Sequence, residues 1–193
     1  EADYSIYTHV GPEVGVASTK SFTSQLIILL SIAMKLAISN NKISHEKYYD
    51  FIKNLKLVPN FLSKILSLNE KFINLAQFIK NSQNILYLGR GILYPLALEG
   101  ALKLKELSYI HAEGFAAGEM KHGPIALIED GLPIIMFLTS DGMEEKSISN
   151  LQEAIARGGK VFLISDEKNL KKISFIENKV LIPSFKAKWN DIF

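Results

Sequence analysis

Ile85-Leu86-Tyr87-Leu88-Gly89-Arg90-Gly91 is the stretch that decides the fold. Four apolar residues in a row, without polar alternation, suit a strand covered on both faces, and the two glycines then turn the chain. Beyond the turn, Pro95 sits where a first helical turn tolerates a missing amide, and a helix runs on to about Tyr109. Continuing toward the C-terminus, the pattern repeats. A short strand near Ile110 to Glu113 leads into a Gly/Ala-rich loop, and a stronger strand spans Pro133 to Leu138. Asp141 and Glu144 suit the N-cap and N3 of a helix from Met143 to Arg157, which Gly158 and Gly159 stop. Strands follow at Lys160 to Ser165 and at Lys179 to Ile182, and after Pro183 a helix begins at Trp189 to Phe193. Strands alternating with helices predict an α/β fold with a parallel sheet flanked by helices.

Toward the N-terminus the texture differs. A β-type run, Tyr4 to Val10, meets Gly11 and Pro12, and a helical pattern then runs from about Ser18 to Ala37 with Ser18 or Thr19 as N-cap. Its apolar stretch, Leu26 to Met34, is far short of the ~20 residues that span a bilayer and reads as a buried helix. A second helix starts after Ser44, and Pro59 opens a third whose face is lined from Phe61 to Ile79. Strand and helix at Tyr4–Ala37 echo strand and helix onset at Lys179–Phe193, which suggests two copies of one unit. The expected division is residues 1–43 as the end of a first domain, 44–83 as a helical connector and 84–193 as most of a second domain. Both ends read as cuts within a longer protein.

The 193 residues are 48% hydrophobic and 22% charged, close to the average for globular chains, so disorder is excluded as a description of the whole. A formal charge of +2 is too even for a chain whose main work is gripping nucleic acid, and neither nucleic acid nor membrane is expected as partner. The absence of cysteine excludes disulfides, Cys-liganded zinc, iron–sulfur clusters and a catalytic thiol. No spacing of His and carboxylates suits a metal, and no Gly-x-Ser-x-Gly elbow is present, so neither a metal, a cofactor nor a serine nucleophile is expected. Gly89-Arg90-Gly91 fails as a dinucleotide fingerprint because its third glycine position holds Tyr94. What remains there is a strand-to-helix turn whose amides could face an anion, or a plain turn.

The following helix is more telling. Glu99, Lys103 and Glu106 stand at i, i+4 and i+7, within a sector roughly 60° wide, bordered by Leu96 and Leu107 on one side and Leu102 on the other. An ordinary Glu–Lys pair on a helix surface is one reading. The other is a partly buried acid–base pair whose pKa values are moved by desolvation and by each other. Lys105 lies on another face and reads as solvated. Of the four histidines, His9 and His45 suit surface or packing positions and His111 suits a satisfied core position. His122 lies in the loop Gly118-Glu119-Met120-Lys121-His122-Gly123-Pro124, where Gly and Pro fix a backbone from which an imidazole can reach a site.

Glu99-Gly100-Ala101-Leu102-Lys103-Leu104-Lys105-Glu106, followed by Ser108 through Pro124, resembles the isomerase half of the glutamine–fructose-6-phosphate aminotransferases, the glucosamine-6-phosphate synthases. Gly15 to Lys20, with Phe22 and Gln25, resembles the end of that family's first sugar-isomerase (SIS) domain. The likeness covers nearly the whole chain and is weakest from Asn40 to Ser82. It implies two SIS domains and a phosphosugar site near the subunit interface of a cytoplasmic homodimer. It implies that Glu106 moves a proton between sugar carbons C2 and C1, that Lys103 assists, and that His122 helps open the sugar ring in a neighbouring subunit's site. Val16 and Ser18 would lie beside the bound sugar. The family's phosphate-cradling Ser/Thr loops, its glutaminase domain and its C-terminal lysine tail have no counterpart in these residues, so the chain alone is expected to be inactive. Another SIS phosphosugar isomerase or deaminase, or a non-catalytic phosphosugar-binding regulator, are the alternatives.

Overall fold

The structure, a computed structural model, describes residues 2–184. The helix expected at Trp189 to Phe193 lies outside the described residues. Two compact units are resolved, one up to Val58 and one from Pro59 onward.

The second unit holds the sheet. Strands β1 (Asn84–Gly89), β2 (His111–Ala116), β3 (Pro133–Leu138), β4 (Lys160–Asp166) and β5 (Lys179–Ile182) are all parallel, in the order β2-β1-β3-β4-β5. The expected parallel α/β architecture is therefore observed, and its strand order is that of a doubly wound sheet whose direction reverses between β1 and β3. The helices explain the apolar runs. Counting helices from the N-terminus, α4 (Asn69–Ile79) and α5 (Leu93–Ser108) cover one face, where Ile79, Ala97 and Ala101 pack on Ile85, Tyr87 and Ile135. Helix α6 (Glu144–Ala156) covers the other, where Leu151 and Ala154 pack on Leu86, Leu88, Met136 and Leu163. Five of the six β1 residues are buried because both sides of that strand are roofed.

Close backbone approach sets the α5–sheet geometry. A Cβ at Gly89 would lie 2.0 Å from the Leu93 carbonyl oxygen, so only glycine lets the helix fold back directly on the strand it follows.

Several local expectations are corrected. Strand β2 continues to Ala116, and the expected loop after it is a pair of 3₁₀ turns, Ala117–His122 and Pro124–Leu127. Helix α6 is capped by Met143 rather than Asp141, whose carboxylate accepts from the Met143 amide and so closes a turn just ahead of the helix. The single helix expected from Pro59 to Ile79 is two, α3 (Val58–Leu66) and α4, because the Ser67 hydroxyl donates to the Lys64 carbonyl and tightens the chain there.

In the first unit, α1 spans Lys20–Ser39 and α2 spans His45–Leu55, the latter capped as expected by Ser44, which accepts from the Lys47 amide. No strand forms at Tyr4 to Val10; the run has no described neighbour to pair with, and Tyr4, Ile6 and Tyr7 stand exposed. At the N-terminus of α1 the Thr19 side chain caps nothing, whereas the Ser18 hydroxyl, the other expected cap, accepts from the Phe22 amide. Glu13 Oε1 accepts from the Thr19 and Ser21 amides. Those bonds hold the Glu13 carboxyl below its usual range. The expectation that Leu26 to Met34 is buried fails among the described residues: Met34 is buried, whereas Leu26 and Leu29 are exposed. By length and composition α1 is long and apolar enough to cross a membrane.

Candidate functional site

Helix α5 turns its small residues, Ala97 and Ala101, to the sheet, which leaves Glu99, Lys103 and Glu106 on its outward side. There the Lys103 ammonium donates to Glu106 Oε2 at 2.8 Å and stands 3.5 Å from Glu99 Oε1. All three side chains are half-buried, at 25% exposure for Lys103, 23% for Glu99 and 31% for Glu106. Around them Leu96, Leu98, Leu102 and Leu107 stand exposed. A charged cluster inside a leucine frame is a surface prepared for partial desolvation rather than a freely solvated stripe. The hydrogen bond that Lys103 donates to Glu106, reinforced by the charges of Glu106 and Glu99, raises the Lys103 pKa against a smaller opposing effect of desolvation. Lys103 is thus held as a cation, the form that stabilises developing negative charge, and not as a base.

The sequence reading brought Glu106, Lys103 and His122 to one chemistry, but a single chain does not bring them to one place. His122 ends the turn Ala117–His122, which packs through Ala117 and Met120 into the core on the α6 face. That turn thus packs on the α6 face of the sheet, whereas α5 covers the opposite face and carries the Glu99–Lys103–Glu106 cluster on the side turned away from the sheet. His122 is 75% exposed, with Glu119 Oε2 3.9 Å from its Nε2. His111, expected in the core, is instead exposed at the edge strand, 3.3 Å from Glu113 Oε1.

In the first unit, Val16 is exposed and the Ser18 hydroxyl accepts from the Phe22 amide, so Ser18 closes the first turn of α1 from just outside it. Among the described residues no group of three or more His, Asp or Glu side chains could hold a metal ion.

Sequence reading missed a polar cluster at the carboxyl edge of β3 and β4. Asp166, nearly buried, accepts from the Ser140 amide at 2.7 Å, the Ser140 hydroxyl at 3.0 Å, the Lys168 amide at 3.0 Å and Asn169 Nδ2 at 3.2 Å. It ties two strand-end loops together. Its only sequence signal was an acidic residue just past the apolar run Val161 to Ile164, with Ser165 between them.

Comparison with known proteins gives a consistent set of likenesses. The SIS domain model matches residues 78–174, half of the chain. An isomerizing glutamine–fructose-6-phosphate aminotransferase of Zymomonas mobilis is 52% identical over 172 residues, covering 89% of this chain and 28% of the relative. One of Mesorhizobium japonicum is 47% identical over 174 residues, covering 90% and 29%. The C-terminal domain of glucosamine-fructose-6-phosphate aminotransferase from Francisella tularensis superposes with a TM-score of 0.88 at 37% identity, over 91% of this chain and 50% of that one. The chain therefore spans less than a third of the length of these curated relatives.

Proposed function

This chain belongs to the SIS-domain family, and on that premise we propose that it is isomerase-region sequence of an enzyme making glucosamine 6-phosphate and glutamate from fructose 6-phosphate and glutamine. In this reading residues 1–43 end a first SIS domain, 44–83 connect, and 84–193 form most of a second. The glutamine-hydrolysing part lies elsewhere in the intact polypeptide, and the protein works in the cytoplasm as a homodimer.

The observation that carries the reading is the Glu99–Lys103–Glu106 cluster in its leucine frame. Turning a ketose into an aldose requires a proton to leave one sugar carbon and arrive at its neighbour. A carboxylate with restricted access to water does this well, and an adjacent ammonium stabilises the enediolate-like charge that builds between the two steps. Glu106 carries the proton between C1 and C2, and Lys103 supplies the cation. His122, on the far face of the sheet, opens the ring of a sugar held against another subunit. Val16 and Ser18 line the sugar.

A phosphosugar isomerase or deaminase without glutamine chemistry would use the same cluster; a phosphosugar-binding regulator has no use for a proton shuttle. Supplying purified intact protein with fructose 6-phosphate and either glutamine or ammonia separates the three. Glucosamine 6-phosphate formed from glutamine supports the proposal. Turnover of phosphosugars with no use of glutamine points to the isomerase or deaminase, and sugar binding without turnover points to the regulator.

A further inference from the structure

The turn Ala117–His122 is held through Ala117, Gly118, Met120 and Lys121, while the side chains of Glu119 and His122 stand exposed. Ala117 and Met120 are fully buried in the core on the α6 face. Gly118 lies on the Arg90 guanidinium so closely that a Cβ there would stand 2.9 Å from Arg90 Nη1, and the same nitrogen donates to Asn150 Oδ1 on α6 at 3.0 Å. Lys121, directly before His122, pairs with Glu153 Oε1 on α6 at 2.9 Å. The other Glu153 oxygen is buried and has no hydrogen-bond partner among the described residues. Glu153 Oε1 also accepts from the Ser149 hydroxyl at 3.3 Å, and the half-exposed Lys121 is the cation paired with this carboxylate. The Lys121 hydrogen bond correspondingly holds the Glu153 carboxyl below its ordinary range. After these two clamps the backbone leaves the turn through Gly123 at φ 147°, and the imidazole stands out into solvent.

We infer that Glu153, together with Arg90 and Asn150, is a positioning residue for His122: the two clamps fix the turn on α6 so that the imidazole projects in one direction toward a sugar it does not hold. This rests on the reading of His122 as the ring-opening group and adds the residues that aim it. Clamps at Gly118 and Lys121 bracket the turn, so releasing the second frees the end that bears the imidazole. Misplacement of a reacting group by ~1 Å can cost ~10²-fold in rate.

The test uses the intact enzyme and steady-state kinetics. Glu153→Gln keeps size and shape but removes the charge, and Lys121→Met releases the same clamp from its exposed side with little risk to folding. Each lowers kcat by about 10- to 10²-fold with KM for fructose 6-phosphate nearly unchanged, and the double variant is no slower than either single one. On a His122→Ala background Glu153→Gln has no further effect. Wild-type kcat in both Glu153→Gln and Lys121→Met, with His122→Ala impaired, overturns the inference and leaves the proposed function standing. An equal loss from Glu153→Gln with and without His122 also overturns it, because the effect then does not pass through the imidazole. Full kcat in His122→Ala removes the underlying role of His122 itself. A lower melting temperature without a change in kcat marks Glu153 as structural only.

Discussion

Glu106 is separated from an ordinary surface glutamate by its surroundings rather than by its neighbour in sequence. A Glu–Lys pair at helical spacing is common, and the sequence could not choose between a solvated pair and a working one. The exposed leucines on both sides of it, and the Lys103 ammonium at 2.8 Å, favour the second. Replacing Glu106 with Gln keeps volume and hydrogen-bonding shape and removes the base. In the intact enzyme kcat is expected to fall ~10²–10⁴-fold, the usual contribution of a positioned general base, with much less change in KM. A surface pair predicts the reverse, near-normal turnover with a slightly lower melting temperature, and kinetics with a thermal melt distinguish them. Lys103 adds a sign. Its pKa is raised in the folded chain, so its contribution to stability is complete below the unfolded value and is lost only as pH climbs through the folded value, above 10.5. Any alkaline decline in turnover near neutrality therefore belongs to another group. The residues of this cluster were legible because spacing on one helix is a local property. The aim of His122 was not, because it depends on Arg90, Asn150 and Glu153, the last two on an element that starts more than twenty residues later.

At the scale of elements, the sheet was legible where a strand was roofed on both sides, since burial of both faces writes an unbroken apolar run. Strand β3, with five of its six residues buried, has the bounds its sequence suggests, and so does the short edge strand β5, although only Val180 of it is buried. It was illegible where pairing decided the outcome. Tyr4 to Val10 has strand composition and no described partner, and β2 extends through Gly114 because that glycine lets the strand meet the α5 backbone at Ala97 and Leu98. The same closeness ranks substitutions. At Gly89 an added methyl meets the Leu93 carbonyl, which no rotamer change can move, whereas at Gly100 it meets the Tyr87 ring at 2.8 Å. Gly100→Ala sets a helix-propensity gain of ~1 kcal/mol against overpacking of ~1–3 kcal/mol, so the melting temperature should drop modestly. Gly89→Ala should drop it much further; a wild-type melt for Gly89→Ala would refute the proposed fit of strand to helix. Tyr87 supplies a titration at the same contact. Burial pushes its phenol up to about 12. Because the folded state holds the proton longer than the unfolded one, this group's contribution to stability is intact below its ordinary value near ~10 and is lost as pH rises toward 12. Tyr87→Phe should flatten that alkaline decline, as read from unfolding curves across the range.

For the molecule as a whole, the doubly wound sheet imposes a separation. Glu106 faces outward from α5 on one face, and His122 ends a turn packed on the other, so one copy of this chain cannot close both groups on one sugar by moving a side chain. If both act in one reaction, each site takes its imidazole from a second copy, and two differently damaged chains can repair one another. In a mixed dimer of Glu106→Gln and His122→Ala chains, the site using the intact Glu106 receives the intact His122, while the other site receives both lesions. Random mixing makes half of the dimers mixed, so two nearly inactive preparations, unfolded together and refolded as one, should recover about a quarter of wild-type turnover. Refolding each variant alone should recover nothing. Were His122 to serve its own chain's site, every site in the mixture would carry one lesion and no activity would return. The size of the recovered fraction therefore reports which subunit's sugar His122 serves, independently of any substitution in the clamps that aim it.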